Sequence, residues 1–351
     1  MNFNLDLVSK GLPRIAMRST TAAPVDTFLS ETLFGGNAIA GNTAVDGVVL
    51  EYRKYVPGIA EEALRGEDPT RMNYQSKFND SYIVPNYYHV SDRVTLEDAD
   101  VRVFGEALEG NEDSMARVLT RFAEKRDAIH DSFLMAKEKM ASDAIFNAQI
   151  ANKSGTQALP MTAALLSQSG SNMYSDFLST IEAGFNATRK KNKSFRPNAL
   201  VLNPTYALLL VKALNTAGLL NKMGYDLAVI KFQPLSGKGV QVVGSVDTPA
   251  GPLAILAYYG NDGTNDYIPN QKAILCNADK GGIGSFAYGR IQACEENGLP
   301  HYVVEQERYR PYPEGQGDMA HLAIEVQSAP IPVITNLDGY CVFTSIPSSL
   351  S

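Results

Sequence analysis

Asp113-Ser-Met-Ala-Arg-Val-Leu-Thr-Arg-Phe-Ala-Glu-Lys-Arg-Asp-Ala-Ile-His-Asp-Ser-Phe-Leu-Met-Ala-Lys-Glu-Lys-Met140 carries the strongest periodic signal in this chain of 351 residues. Met115, Val118, Leu119, Phe122, Ile129, Phe133, Ala136 and Met140 recur at spacings of three, four and seven, the apolar stripe of an amphipathic helix. Asp113 and Ser114 can cap its start, and neither Gly nor Pro interrupts the chain before Gly155. The pattern predicts one helix over residues 113–150, roughly 50 Å long at ~1.5 Å per residue and far beyond the average of ~11–12 residues. Its six basic and six acidic side chains cancel, which fits neither a membrane helix nor a nucleic-acid helix. The stripe lapses at Arg126 and lacks Leu heptads, so a spine packed along one sheet is expected rather than a coiled coil.

On the N-terminal side, residues 1–45 show no clear helical or strand period and read as an extended arm. Val48–Tyr52 and Asp80–Pro85 are strand-like runs around a polar centre, Leu64–Arg71, which reads as a long projecting hairpin. Beyond the spine, Phe177, Ile181 and Phe185 predict a shorter helix, and Ala199–Asn203 a buried strand. Asn203-Pro204 is a cap followed by a first-turn proline, opening a helix expected to run through about Asn221. Short strands are expected at 239–243, 253–259 and 272–276, the last two joined by the turn-rich Gly260–Asp266. Finally, 301–306 and 322–328 are strand-like and flank Arg308–Asp318, which reads as a Pro/Gly tip. The sum is an α+β protein with one arm and two projecting loops.

Composition narrows the classes. A 44% hydrophobic, 20% charged chain is globular. Three cysteines imply no disulfide framework, and no basic region followed by an apolar core opens the chain. The net charge of −7 speaks against a general nucleic-acid coating protein. That charge is uneven: residues 51–112 carry 7 basic and 13 acidic groups, residues 151–200 carry 6 and 2. Arg189, Lys190, Lys191, Lys193 and Arg196 form the basic cluster, read either as a solvated helix end or as an anion-facing patch.

A search for chemistry yields little. Gly282-Ile-Gly284-Ser-Phe-Ala287 fits the G-x-G-x-x-A form and follows a strand, which makes a nucleotide-binding enzyme the alternative reading. Only 13 residues separate Ala287 from His301, too few for the helix such a site needs, and they include Gly289, Gly298 and Pro300. His89, His130, His301 and His321 show no metal-ligand spacing with one another or with Cys276, Cys294 and Cys341. No catalytic residue, metal ligand or cofactor site is predicted.

The order of arm, hairpin, long helix, α/β region and second hairpin resembles the tailed-phage major capsid proteins of the Hong Kong 97 fold. Tyr258-Tyr-Gly, Tyr267-Ile-Pro-Asn-Gln-Lys-Ala-Ile-Leu-Cys-Asn277, Glu325-Val-Gln-Ser-Ala-Pro330, Val56-Pro-Gly-Ile-Ala and Arg93-Val-Thr-Leu-Glu-Asp-Ala resemble motifs of the phage lambda major head protein family. The resemblance spans about 45–335. It implies an N-terminal arm (1–46), an extended loop (47–100), a peripheral domain (101–195 and 285–330) and an axial domain (196–284 and 331–351). It further implies a structural protein that assembles with itself into pentamers and hexamers of an icosahedral virion head made in the host cytoplasm. Scaffold, portal and decoration proteins and packaged double-stranded DNA are the further partners, and no membrane is expected. Intersubunit contacts then fall to Arg65, Glu67, Asp68 and Arg71 at one tip and to Arg308, Arg310, Tyr312 and Glu314 at the other. The basic cluster becomes an inner-face patch. Lys77 and Asn73 lie near the loop, and no Lys–Asn cross-link is expected.

Overall fold

The computed structural model describes residues 25–40, 48–54, 77–94, 112–152, 155–159, 167–190, 195–249, 251–294, 300–314, 321–336 and 339–350. At its centre lies a six-stranded sheet of β1 (Ser167–Ser169), β2 (Ala199–Leu202), β3 (Val240–Thr248), β4 (Gly251–Tyr258), β5 (Ala273–Cys276) and β6 (Tyr340–Thr344). Their order is β1-β6-β5-β2-β4-β3, with β2–β4 and β1–β6 parallel and the other pairs antiparallel. The central strands are apolar at every position because both faces are covered. Leu200, Leu202, Leu253, Ile255 and Leu275 face one core, and Ala199, Val201, Leu256, Tyr258 and Ile274 face the other.

Among the described residues, four α-helices dress this sheet: α1 (Glu112–Asn147), α2 (Phe177–Arg189), α3 (Pro204–Thr216) and α4 (Lys222–Phe232). Asp176 caps α2, and Asn203 caps α3 with Pro204 in its first turn, as the sequence predicts. Phe177 and Ile181 of α2 and Tyr206, Leu210 and Leu214 of α3 fill the first core. The spine α1 serves the second through Met140, Ala141, Ala144, Ile145 and Phe146. It stops at Asn147 instead of 150, because Ala148 turns into the left-handed region (φ 49°) and Gln149–Asn152 pairs with Gly155–Ala158.

Three expectations are corrected. The helix opened by Pro204 ends at Thr216, where Gly218 (φ 67°) reverses the chain and Asn221 caps the separate α4 by accepting from the Gly224 N–H at 2.9 Å. The stretch 25–40 is not an arm throughout: Phe28–Leu33 forms a short π-helix, and Phe28, Leu29, Leu33 and Phe34 are fully buried in the second core. Arg308–Glu314 is not a tip but a strand paired with His321–Ser328, which in turn pairs with Tyr88–Val94. Pro311 and Pro313 are tolerated because this strand lies at the edge of its sheet. The segment expected to face 322–328 across that tip, 301–306, does not do so: Pro300–Val303 pairs with Ile291–Cys294 instead.

The N-terminal hairpin matches its expectation, with Val48–Lys54 antiparallel to Lys77–Ile83 and Val48 opposite Ile83.

Candidate functional site

Two carboxylate junctions, one wholly and one largely withdrawn from water, tie distant segments to the spine. In the first, Glu138 is wholly buried, and its carboxylate accepts from the backbone N–H groups of Leu29 (2.6 Å) and Ser30 (2.8 Å) and from the Tyr258 hydroxyl (2.5 Å). The two amides open the π-helix Phe28–Leu33, so one carboxylate fixes the N-terminal segment onto α1 and β4. Phe28 adds a tilted ring contact with Tyr258 at 5.5 Å. Burial pushes the Glu138 carboxyl up to about 7 against the opposing pull of its donors, none of which carries a charge. The same burial, with the Glu138 charge beside it, raises the Tyr258 phenol.

In the second junction, Glu307 takes Lys137 Nζ at 3.0 Å on one oxygen and His130 Nδ1 at 2.8 Å on the other. The Tyr309 hydroxyl donates to that second oxygen at 2.5 Å. Burial opposes ionisation of Glu307, yet His130, Lys137 and Tyr309 together hold it at about 2. The hydrogen bond to Glu307 raises His130 in turn. Lys137 is itself buried and lies over the Tyr288 ring at 5.7 Å. His89–Glu325 (2.6 Å) and Lys125–Asp92 (2.8 Å) further bind strand Tyr88–Val94 to its neighbours. None of these partnerships was predicted, and all but Tyr309–Glu307 join residues far apart in sequence.

The predicted contact residues are placed as follows. Arg65, Glu67, Asp68 and Arg71 lie outside the described residues, as does Asn73. Arg310 is exposed, and Arg308 pairs loosely with Glu305 at 3.5 Å. Tyr312 and Glu314 stand on the same edge strand, opposite Ala323 and His321. Of the basic cluster, Arg189 ends α2, Lys190 caps it, and both join Arg196 and Asn186 around an open hollow of about 490 Å³. Lys191 and Lys193 lie outside the described residues.

The nucleotide-binding alternative finds no support in the fold. Gly284–Tyr288 is a strand paired with Pro330–Ile334, so no helix N-terminus follows the glycines. Gly282 and Gly284 are small for packing: a Cβ would strike the Asn277 carbonyl at the first and the Val333 carbonyl at the second. Among the described residues no group of His, Cys, Asp and Glu side chains is disposed to hold a metal ion. Cys276 and Cys341 are buried, and burial pushes both thiols up to about 12, away from nucleophilic character. No described helix is long and apolar enough to cross a membrane.

No family model and no curated protein matches the chain. Solved structures do. The proposed capsid protein of a prophage of E. coli CFT073 superposes with a TM-score of 0.57 at 14% identity, covering 98% of this chain and 99% of that one. A phage-related protein from Bordetella bronchiseptica RB50 gives 0.47 at 10% identity, with 96% and 97% covered. The capsid of Myoviridae phage XM1 gives 0.40 at 10%, with 88% and 89% covered. The first match carries the assignment, because it runs the length of both chains. This protein has the α+β, Hong Kong 97-type fold of tailed-phage major capsid proteins.

Proposed function

We propose that this chain is a major capsid protein, assembling copies of itself into the icosahedral head shell that encloses the double-stranded DNA of a tailed bacteriophage. The observation that carries the reading is the end-to-end match in fold with the prophage protein. Physical features support it. Strands Val48–Lys54 and Lys77–Ile83 form a two-stranded sheet with no third strand among the described residues, and such a sheet is marginal in water without something to pack on. Neighbouring copies supply that surface in a shell, and many repeated contacts sum to a stable whole.

Within this reading, 47–100 is an extended loop lying over a neighbour, with Arg65, Glu67, Asp68 and Arg71 as its contacts. Its acidic character suits a hollow of about 560 Å³ beside Phe34, where Lys280 adds a cation to the Lys231–Asp279 and Lys238–Glu31 pairs. Residues 101–195 and 285–330 form the peripheral domain, 196–284 and 331–351 the axial one, and 1–46 an arm anchored through Phe28–Phe34. Arg308, Arg310, Tyr312 and Glu314 form the second set of contacts. Arg189, Lys190, Lys191, Lys193 and Arg196 face the packaged DNA without sequence preference, and scaffold, portal and decoration proteins complete the head, which is assembled in the host cytoplasm. Electron microscopy of the purified chain tests the reading. Capsomers or closed shells are expected, and a compact monomer under all conditions overturns it.

A further inference from the structure

Helix α4 is apolar on both of its sides. Inward, Ala228 and Phe232 are buried in the second core. Outward, Met223, Leu227 and Ile230 follow one another at four and three residues, one face of a helix, and are 75%, 60% and 69% exposed. A helix apolar all round is ordinarily covered all round. No described element of the chain covers this one. We propose that the Met223–Leu227–Ile230 face of α4 is an interface covered by a second copy of this chain. The inference rests on the capsid reading and assigns to it a surface that neither the fold match nor the sequence motifs single out.

Exposure, shape and charge favour that occupant. Three large apolar side chains, each more than half exposed along one helix face, make a contiguous apolar patch of the kind that marks an interaction surface on a soluble protein. A convex helix face offers no cavity for a small ligand, and a protein face is its natural complement. Lys222 and Asp226 are exposed beside the stripe with no ion-pair partner among the described residues, giving a rim of both signs around an apolar centre. A head-to-tail contact between copies also needs an unlike patch elsewhere on the same molecule. Val84 and Tyr87, 47% and 50% exposed between the strands Lys77–Ile83 and Tyr88–Val94, form one in a different part of the chain.

The test compares the unaltered chain with a Leu227→Asn, Ile230→Lys double variant by circular dichroism, thermal unfolding and sedimentation velocity. Both substitutions sit on outward positions, so the variant should fold and melt like the parent while its assembly threshold rises at least about tenfold. Equal assembly by the two proteins overturns the α4 interface and leaves the capsid reading standing. A parent that never assembles overturns the capsid reading and the interface together. If the double variant does not fold, a photo-crosslinking residue at position 227 of the otherwise natural chain decides the matter during expression. An adduct of two copies supports the proposal, whereas no adduct, or an adduct with a different protein, overturns it.

Discussion

Glu138 and Glu307 each fasten a distant segment to the spine helix, and burial disfavours the charge of both, yet their carboxyls are driven in opposite directions. Glu138 meets two amides and a phenol, so its charge has donors and no countercharge, and it rises to about 7. Glu307 meets Lys137 and His130 and falls to about 2. Neutral hydrogen bonds lessen the cost of burial, and a cation in contact reverses it. The spine therefore carries one junction that is strongest when protonated and one that is strongest when ionised.

Removing the ionised junction should produce the largest effect. Glu307→Ala leaves Lys137 buried beside the Tyr288 ring with its countercharge gone, and a loss of about 3–5 kcal/mol is expected in denaturant unfolding. Replacing both partners, Lys137→Met with Glu307→Leu, should recover most of that loss. A double variant as unstable as the single one would show that the pair does more than neutralise itself.

The next effect is on pH dependence. A Glu138 carboxyl raised from 4.5 to about 7 binds its proton more tightly in the folded state. Its stabilisation is complete below pH 4.5 and declines by about 3 kcal/mol as pH rises to 7. Glu307, lowered from 4.5 to about 2, acts in reverse: its contribution is present above pH 4.5 and is lost as pH falls towards 2. Stability measured by urea unfolding from pH 3 to 8 should peak near pH 4.5–5. Glu138→Gln should flatten the neutral limb and Glu307→Gln the acid limb, and an unchanged profile in either variant would break the contrast. Smaller again is Tyr258→Phe, which removes one of the donors to Glu138 and should cost about 1–3 kcal/mol in thermal or urea unfolding, more at pH 8 than at pH 5.

What was legible in the sequence was whatever follows from local period and punctuation. The spine's stripe, the Asn203-Pro204 start and the all-apolar Ala199–Leu202 are of this kind, and they suffice for the fold class. Helix α4 escaped because Met223, Leu227 and Ile230 oppose Ala228 and Phe232, leaving no contrast between faces. Arg308–Glu314 read as a tip because Pro311 and Pro313 mark turns, whereas an edge strand also accepts them. Neither junction was visible: Lys137-Glu138-Lys139 reads as a solvated face, and only packing of Phe28–Leu33 from a hundred residues away buries its middle member. Candidate contacts between copies were the least legible, since an intermolecular surface imposes no period on the chain that forms it.

The smallest expected effect separates the two cations around Glu307. His130 is 43% exposed at its side chain where Lys137 is 10%, so solvent already screens much of its attraction. His130→Gln keeps a donor within reach of Glu307 and should cost below about 1 kcal/mol. Because Glu307 raises the His130 imidazolium, that contribution is full below pH 6.5 and fades as pH rises through the raised value, so the variant should differ from the parent at pH 5.5 and converge with it by pH 9. NMR titration of the imidazole in the parent gives the midpoint independently. A midpoint at or below 6.5 would mean that Lys137, with the Tyr309 hydroxyl, holds Glu307 ionised without His130, and the contrast with Glu138 would then rest on a single buried ammonium.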